Sequence, residues 1–450
     1  MTDPADLGVL EAGSLLQRGG LSSRELVDAC LDRIRDRDGV RSRDGDKASI
    51  NAWVRVYEDD ARAAADRADA RLAAGDASPL CGVPIGLKDL YAVAGKPLTA
   101  SSLVLGDVPE RSSDAWARLE AAGMVLLGHL HTHEFAAGGT TDQVGNPWAL
   151  ERSAGGSSGG SAAALAARMT PAATGTDTAG SLRIPSAFCG TSTLKPTRGL
   201  VSIRGIVPLG WTFDHPGPMA RSVEDCEPLL SALAGARSPA ERAPLRRVAV
   251  SPRLGLVELD ADVADGFDAA LDACRSVGAE LVERPPPGVE LDLGLTFLDL
   301  VCTEMLAYHR RFDDRRDLYR PSIRGFLEYA EQRALPAEEY VAAQERRAEA
   351  TATWLDWFAL NRIDALIEPT VPLVARLRGA GYDEAFTDVD EISLTHYWDW
   401  TGFPVAAFPS GVGRRSGLPV GVSLVGPAGS DWDVLAAGVT LQARLGTVAP

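Results

Sequence analysis

Lysine is rare in this chain of 450 residues, and the few lysines present are the first candidates for proton-transfer chemistry. Of its 45 basic residues, 41 are arginines and only Lys47, Lys88, Lys96 and Lys195 are lysines. An amine can lose its proton near neutral pH and then act as a base, whereas a guanidinium stays charged. Since this chain uses arginine for most of its positive charge, a lysine is expected where the side chain has to lose a proton.

A glycine- and serine-rich run, residues 153–167 (SAGGSSGGSAAALAA), is the second unusual feature. Residues 155–159 match G-x-S-x-G, but a nucleophile elbow needs an apolar strand before it, and 146–153 (NPWALERS) is polar and contains proline. A flexible linker is also excluded, because 162–169 (AAALAARM) strongly favours a helix. The run therefore predicts a glycine-lined loop that enters a helix N-terminus, where backbone N–H groups favour negative charge.

Two further serines lie in short motifs. Ser192 and Lys195 form S-x-x-K, which places both side chains on one face only in a helix. Pro196 follows directly and moves Lys195 out of the α region, which argues against that motif. The segment 178–181 (TAGS) is a turn of small residues whose N–H groups could converge on one oxygen, as an oxyanion requires.

Alternating histidines offer a different chemistry. His129, His131 and His133 would share a face of a strand, and three imidazoles on one face could hold a metal ion. No acidic or cysteine-rich motif accompanies them. A metal-dependent amidohydrolase stays open as an alternative at this point.

The elements that must position these residues alternate between helix and strand. Apolar spacing predicts helices at 21–36 and 58–74, buried strands at 82–87, 124–127 and 171–175, a βαβ unit at 248–250, 261–277 and 279–282, helices across 293–360, strands at 364–367 and 418–425, and a closing helix at 432–445. Neither a long linker nor an internal repeat interrupts them. We expect one α/β domain with a large mixed central sheet covered by helices on both faces.

Composition excludes several classes of protein. The formal net charge is −17, and an acidic surface releases few counterions from a polyanion, so direct nucleic-acid binding is not expected. Apolar runs of membrane-spanning length are missing from the sequence, so no membrane segment is expected. The six cysteines show no CxxC spacing, which predicts a reduced, cytoplasmic protein without a zinc ribbon or disulfide framework.

Taken together, these motifs resemble the amidase signature family, serine hydrolases with a Ser-Ser-Lys triad. The matching segments are CGVPIGLKDL (81–90), HEFAAGG (133–139), GNPWALERSAGGSSGGSAAALAA (145–167), GTDTAGSLRIPSAFCGTSTLKPTRGLVS (175–202), DHPGPMARSVED (214–225), TGFPVAAFPSG (401–411) and GLPVGVSLVG (417–426). The resemblance implies the amidase signature fold over 1–450. Its parts would be an N-terminal helical segment (1–75), a catalytic core (81–225), a variable substrate-side region (245–400) and C-terminal core strands with a helix (401–450).

The resemblance assigns a role to each residue of the triad. It implies that Lys88 is the base, Ser157 the bridging serine after a cis peptide bond, and Ser181 the nucleophile, 24 residues beyond Ser157 as in the family. Burial beside apolar residues would lower the pKa of Lys88, and a hydroxyl between base and nucleophile can relay the proton. The implied oxyanion hole consists of the N–H groups of Thr178, Ala179, Gly180 and Ser181. No metal or cofactor is expected.

The substrate is less defined by the resemblance. The family contains stand-alone amidases and the glutaminase subunit of tRNA-dependent amidotransferases, and we expect the former, acting on a small-molecule amide with a hydrophobic or aryl group. Gly138, Gly139 and Trp400 are the expected substrate-binding residues, and a homodimer is one option for assembly. The chain departs from the family pattern at His129 and His131, and at two further positions, Leu200 and Asp399.

Overall fold

The computed structural model describes residues 3–75, 77–236, 238, 243–379, 383, 385 and 390–450. Within these ranges the helices are α1 (Val9–Gln17), α2 (Ser23–Arg37), α3 (Glu58–Ala73), α4 (Asp114–Ala121), α5 (Gly159–Ala166), α6 (Arg183–Cys189), α7 (Val223–Ala234), α8 (Ala261–Ser276), α9 (Gly294–His309), α10 (Pro321–Arg333), α11 (Ala337–Asn361), α12 (His396–Thr401) and α13 (Asp431–Leu445). Short 3₁₀ helices span Pro4–Asp6, Glu134–Ala136, Pro252–Leu256 and Arg310–Leu318.

The strands are β1 (Trp53–Val56), β2 (Pro84–Lys88), β3 (Val125–Leu130), β4 (Gly145–Asn146), β5 (Ala149–Ser153), β6 (Ala172–Asp177), β7 (Ser192–Lys195), β8 (His215–Ala220), β9 (Arg247–Val250), β10 (Glu280–Val282), β11 (Ala365–Pro369), β12 (Val405–Val412) and β13 (Pro419–Val425). Eleven of them form one sheet in the order β1-β3-β2-β6-β8-β7-β12-β13-β11-β9-β10, and β4 and β5 form a separate hairpin. The sheet contains both parallel pairs (β3/β2, β2/β6, β11/β9, β9/β10) and antiparallel ones, so the predicted mixed sheet is confirmed.

Two groups of helices cover the sheet. Helices α5 and α6 pack on each other, while α13 packs on both α7 and α8. Helix α2 corresponds to the helix predicted at 21–36. It begins with a capping box, because the Ser22 side chain accepts from the Glu25 N–H and Glu25 accepts from the Ser22 N–H. The predicted βαβ unit is also present, with β9 and β10 parallel on either side of α8.

Strand direction brings the catalytic candidates to one edge of the sheet. Strands β2 and β6 are parallel neighbours, so their carboxyl ends, at Lys88 and Asp177, lie at the same edge. All residues of both strands are buried, which explains their apolar and small-residue composition. Ligands of open α/β sheets bind outside such carboxyl ends.

Some strands of the structure were not expected from the sequence. They include β1, which lies in the N-terminal segment expected to be helical, and β8. Residues 192–195 form strand β7, which confirms that S-x-x-K here is not a helical motif. In the described residues, no helix combines the length and apolar character that crossing a membrane requires.

Candidate active site

Lys88 is the last residue of β2 and its side chain is fully buried. Its Nζ donates to Ser157 Oγ at 2.7 Å and to Thr176 Oγ1 at 2.9 Å. Thr176 belongs to the neighbouring strand β6, so the parallel pairing of β2 with β6 supplies one partner of the amine. The structure therefore places two residues of the expected triad in direct contact.

Burial sets the protonation behaviour of this amine. Removal from water lowers the pKa of Lys88 to about 7, although the charges of Asp177 and Asp214 act in the opposite direction. A lysine with this pKa is about half neutral at pH 7, whereas an unperturbed lysine is almost entirely charged. Lys88 can therefore accept a proton from a hydroxyl under ordinary conditions.

The loop before α5 holds Ser157 against this amine. The Gly156–Ser157 peptide bond is cis. A Cβ on Gly156 would lie 2.1 Å from the carbonyl oxygen of Thr140, so only glycine fits there. The Ser157 carbonyl accepts from the His133 N–H at 3.0 Å and from Thr141 Oγ1 at 3.2 Å. Backbone contacts on both sides thus fix the position of the Ser157 hydroxyl.

The other serines of the run have structural contacts. Ser161 Oγ donates to the Thr174 carbonyl at 2.8 Å, and Ser158 Oγ lies 3.4 Å from the backbone N and O of Thr176. Both contacts attach the first turn of α5 to β6. As the sequence predicts, the run is a buried glycine-lined loop that leads into a helix.

Ser181 lies in the turn between β6 and α6, and its side chain is nearly buried. The Asp177 carboxylate organises this turn, because it accepts from the Gly180 N–H at 2.5 Å and from the Leu182 N–H at 3.1 Å. Gly180 has φ +136, and a Cβ there would lie 2.3 Å from Thr395 Oγ1. The turn therefore requires glycine at position 180.

This geometry changes the expected oxyanion hole. The resemblance implied four N–H donors, but the Gly180 N–H is directed to the Asp177 carboxylate. The N–H groups of Thr178, Ala179 and Ser181 stay as candidate donors. An oxyanion in the turn would compete with a full carboxylate for the fourth N–H, which makes Gly180 a poor donor here.

A buried ion-pair network lies behind the turn. Arg183 donates through Nε and Nη2 to the two oxygens of Asp177, at 2.9 and 3.0 Å, and through Nη2 to Asp399 at 2.6 Å. His215 Nδ1 lies 3.2 Å from Asp399. Burial raises the pKa of Asp177, but the charge of Arg183 overcomes it and holds that pKa below its usual value. Burial, with the charge of Asp177, raises the pKa of Asp399.

Ser181 opens into a small apolar cavity of about 70 Å³. The expected residues Gly138 and Gly139 line it, together with Thr178 and Ala179. The remaining walls are apolar side chains or backbone from Ala136, Ala137, Leu209, Phe297, Leu298, Val301, Cys302, Met305, Phe326 and Ile392. No charged side chain of the described chain lines this cavity, so its chemistry favours a neutral, apolar group.

Trp400, the third expected substrate-binding residue, lies elsewhere. It is buried, its ring centroid is 6.5 Å from that of Phe213, and its carbonyl accepts from Arg347. Trp400 does not line the cavity at Ser181, because α12 turns this ring into the core. The aromatic walls come instead from Phe297 on α9 and Phe326 on α10.

The three histidines do not converge on a metal. Each imidazole is buried and directed to its own partners, which are Tyr57 and Tyr91 for His129, Ser101 and Gln143 for His131, and Thr140 for His133. Across the described ranges no group of three or more His, Cys, Asp or Glu side chains could hold a metal ion. The geometry therefore does not support the metal-dependent alternative.

Two contacts at this site were not predicted from the sequence. Thr176 binds the amine of Lys88, and Asp214 accepts from Thr178 Oγ1 at 2.6 Å and from the N–H groups of Leu209 and Gly210. Burial raises the pKa of Asp214 to about 7. Both residues belong to motif segments that carry the family resemblance, GTDTAGS and DHPGPMARS. Apart from this, nothing in the sequence indicated that either residue lies at the site.

Comparison with known proteins agrees with this architecture. The family model for amidase matches residues 40–435. The chain is 37% identical to one component of the glutamyl-tRNA(Gln) amidotransferase from Roseiflexus castenholzii, covering 98% of this chain and 96% of that protein. It is 35% identical to an amidase of Pseudomonas putida, covering 93% and 94%. A crystal structure of an amidase superposes with a TM-score of 0.86 at 32% identity, covering 98% and 100%. The chain therefore belongs to the amidase family, and the amide-hydrolysing enzyme predicted from its motifs is confirmed.

Proposed function

We propose that this enzyme hydrolyses a small, uncharged carboxamide through an acyl-enzyme on Ser181, with Ser157 as proton relay and neutral Lys88 as general base. The observation that carries the proposal is the 2.7 Å hydrogen bond between Lys88 Nζ and Ser157 Oγ at a fully buried amine. A buried lysine bonded to two neutral hydroxyls has a lowered pKa and is available as a base.

In acylation, the Ser181 hydroxyl attacks the amide carbonyl while its proton passes to Ser157 Oγ and the Ser157 proton passes to Lys88 Nζ. A C–O bond forms to Ser181, and the negative charge collects on the former carbonyl oxygen. The N–H groups of Thr178, Ala179 and Ser181 would stabilise this oxyanion, at about 3 to 4 kcal/mol for one donor in other hydrolases. The C–N bond then breaks, and the proton returns through Ser157 to the leaving amine.

In deacylation, a water molecule attacks the ester carbonyl and gives its proton along the same route. The ester C–O bond breaks, Ser181 recovers its proton, and the acid leaves. Lys88 ends neutral, so the cycle is balanced without a metal or cofactor. The relay serves both half-reactions because a hydroxyl can donate and accept in the same geometry.

The cavity beside Ser181 supports an apolar acyl or amine group. Its walls are aliphatic and aromatic, with Phe297 and Phe326 from the substrate-side region 245–400 and the reacting groups from the catalytic core 81–225. Burial of apolar area there favours binding by about 25 cal/mol per Å². We therefore propose that region 81–225 supplies the catalytic residues and that region 245–400 supplies much of the substrate-binding surface.

A glutaminase subunit is the second candidate, because the relative from Roseiflexus castenholzii is named as part of an amidotransferase. Glutamine carries an α-ammonium and an α-carboxylate, and each would need an opposite charge in a cavity whose described lining has none. We therefore favour a stand-alone enzyme for small neutral amides. Its six buried cysteines, which show no CxxC spacing, support a location in the cytoplasm. Kinetic comparison of L-glutamine with butyramide and benzamide tests this choice, and a preference for glutamine would overturn it.

Active-site labelling tests the residue roles. A fluorophosphonate should modify Ser181 in the wild type, and peptide mapping should find the adduct there. The Ser181→Ala variant should not be labelled, and Lys88→Ala should be labelled at least a hundredfold more slowly. Lys195→Ala is the matched control. Lys195 is also fully buried with a pKa lowered to about 7 by burial, but among the described residues its amine donates only to the Pro196 carbonyl. Adduct on Ser157 or Ser192 would refute the assignment.

A further inference from the structure

A second cavity, larger than the one at Ser181, lies near the same segment of chain. The segment 209–214 borders both cavities, with Leu209 at the Ser181 cavity and Trp211 at the larger one. The larger cavity has a volume of about 720 Å³. We call it the arginine cleft, because Arg118, Arg198 and Arg347 line it.

Within the described chain, the three arginines of the cleft lack acidic partners. No carboxylate oxygen of the described residues lies within 4.0 Å of Arg118, Arg198 or Arg347, whereas nearby Arg204 pairs with Asp114 at 2.9 Å. Arg118 donates to the carbonyl of Leu233 instead. In a chain with a net charge of −17, three such guanidinium groups at one cavity are a local excess of positive charge.

Arg347 is a buried arginine whose hydrogen-bond acceptors are all uncharged. It is buried, and its guanidinium donates to the carbonyls of Trp400, Asp399 and Thr212 and to the Thr212 hydroxyl, all uncharged acceptors. Burial, together with the charge of Arg198, lowers the pKa of Arg347 to about 9. The charges of Glu304 and Asp399 act in the opposite direction. A negative charge in the cleft would offset the repulsion between Arg198 and Arg347 and favour the charged form of both guanidinium groups.

One carboxyl group also borders the cleft. Asp214 accepts hydrogen bonds from the Thr178 hydroxyl and from the N–H groups of Leu209 and Gly210, so its oxygens are already used by neutral donors. Its pKa is raised to about 7 by burial, which reduces its charge at neutral pH. Asp214 therefore does not neutralise the arginines.

Apolar surface completes the cleft. The Trp211 indole is 63% exposed, which is unusual for so large an apolar group, and Leu200 and Val201 lie on the same lining. A ring placed against the indole would bury apolar area on both partners. Guanidinium groups and an exposed indole in one cavity match a ligand with a charged end and an aromatic body.

We propose that the arginine cleft is a binding site for an aromatic carboxylate, separate from the cavity at Ser181. The carboxylate would pair with the guanidinium of Arg198, where the positive charge of Arg347 also attracts it, and the ring would pack against Trp211. The N–H groups of Arg347 itself are already used by Trp400, Thr212, Gln344 and Asp399, so Arg347 contributes charge rather than hydrogen bonds. Arg–carboxylate pairs are well suited to this role because the planar guanidinium presents two parallel N–H donors. The proposal does not depend on which residue is the nucleophile.

Equilibrium binding of benzoate to the full chain tests the proposal. Isothermal titration should show saturable binding, and benzyl alcohol, a neutral molecule of similar size, should bind at least tenfold more weakly. Arg198→Ala should weaken benzoate binding at least tenfold, and the charge reversal Arg198→Glu should abolish it. Arg204→Ala is the matched control, because Arg204 is an exposed arginine paired with Asp114 outside the cleft, and it should change affinity less than twofold.

Further readouts distinguish the cleft from the Ser181 cavity. Trp211→Phe should remove most of the tryptophan fluorescence change on benzoate binding while a heat of binding is still measured. The fluorophosphonate adduct on the nucleophile should leave benzoate affinity within twofold. Unchanged affinity in Arg198→Ala, equal binding of benzyl alcohol, or loss of binding in the labelled enzyme would each overturn the proposal. Circular dichroism of each variant checks the fold.

Discussion

Changing the pH tests whether Lys88 acts as a neutral base. The structure places the pKa of Lys88 near 7, because burial outweighs the charges of Asp177 and Asp214. The neutral fraction is then about one tenth at pH 6, about half at pH 7 and about nine tenths at pH 8. A reaction that requires neutral Lys88 should accelerate about tenfold per pH unit below pH 6 and reach a plateau above pH 8.

The second-order rate constant for fluorophosphonate labelling of Ser181 measures this directly, and it requires no knowledge of the natural substrate. The rate constant is determined from pH 5 to pH 10 at fixed ionic strength, with protein integrity checked at each pH by circular dichroism. The expected profile is a single sigmoid with its midpoint close to pH 7. A lysine with an ordinary pKa near 10.5 would instead give a rate that keeps rising to pH 10.

Asp214 could produce a similar profile, since burial raises its pKa to about 7 as well. The variant Asp214→Asn removes this titration but keeps an oxygen that can accept from the Thr178 hydroxyl. Because the charge of Asp214 raises the pKa of Lys88, its removal should move the midpoint to lower pH and leave the sigmoid in place. A profile that becomes flat in Asp214→Asn would assign the titration to Asp214 and refute the reasoning about Lys88.

Two further predictions concern stability. Between pH 7 and pH 10 the unfolded chain binds a proton on Lys88 that the folded protein does not, so the free energy of unfolding should rise with pH in this range. Lys88→Met should remove about one proton from the difference between the two states. Urea denaturation should then show a rise that is smaller by about 3 to 4 kcal/mol between pH 7 and pH 10. Arg183→Ala should lower the free energy of unfolding by about 3 to 5 kcal/mol, because it leaves Asp177 buried and unpaired. Asp399→Asn keeps an acceptor for Arg183 and should lower the free energy of unfolding by less than about 1.5 kcal/mol. Equal losses of stability in thermal denaturation would contradict this account.

Elements that depend on neighbouring residues could be predicted from the sequence. Helix α2 was predicted from its apolar spacing, and the residues of its capping box, Ser22 and Glu25, are only three positions apart. The βαβ unit around α8 follows from apolar spacing alone. The contact between Lys88 and Ser157 was implied by resemblance rather than by spacing, because 69 residues separate the two.

Strand β8 shows why other elements could not be predicted. Its sequence HPGPMA contains Pro216 and Pro218, and proline normally marks a turn or the edge of a sheet. The two prolines are two positions apart, so their nitrogens face the same side of the strand. Pairing with β7 reaches only Ala220 and Met219, so both prolines lie outside the part of β8 that has a strand on each side. The sequence alone does not show where this pairing ends.

The position of Trp400 could not be predicted for a related reason. Aromatic residues near the C-terminal motif suggested Trp400, but a sequence does not tell whether a ring faces a cavity or the core. The walls are supplied by Phe297 and Phe326, from helices more than 100 residues after Ser181. The hydrogen bond from the Gly180 N–H to the Asp177 carboxylate spans only three residues, but the sequence motif does not fix how that carboxylate is oriented.

The buried network explains how a lysine can be neutral beside two carboxyl groups. Either Asp177 or Asp214, if fully charged and unpaired, would favour the ammonium form of Lys88 and block its use as a base. Arg183 balances the charge of Asp177 through two hydrogen bonds, and burial raises the pKa of Asp214 so that it is partly neutral at pH 7. Desolvation of Lys88 then dominates. We therefore expect Arg183 to balance the charge of Asp177 as well as to shape the turn. Arg183→Ala should then shift the midpoint of the labelling profile to higher pH, which a purely structural role would not do.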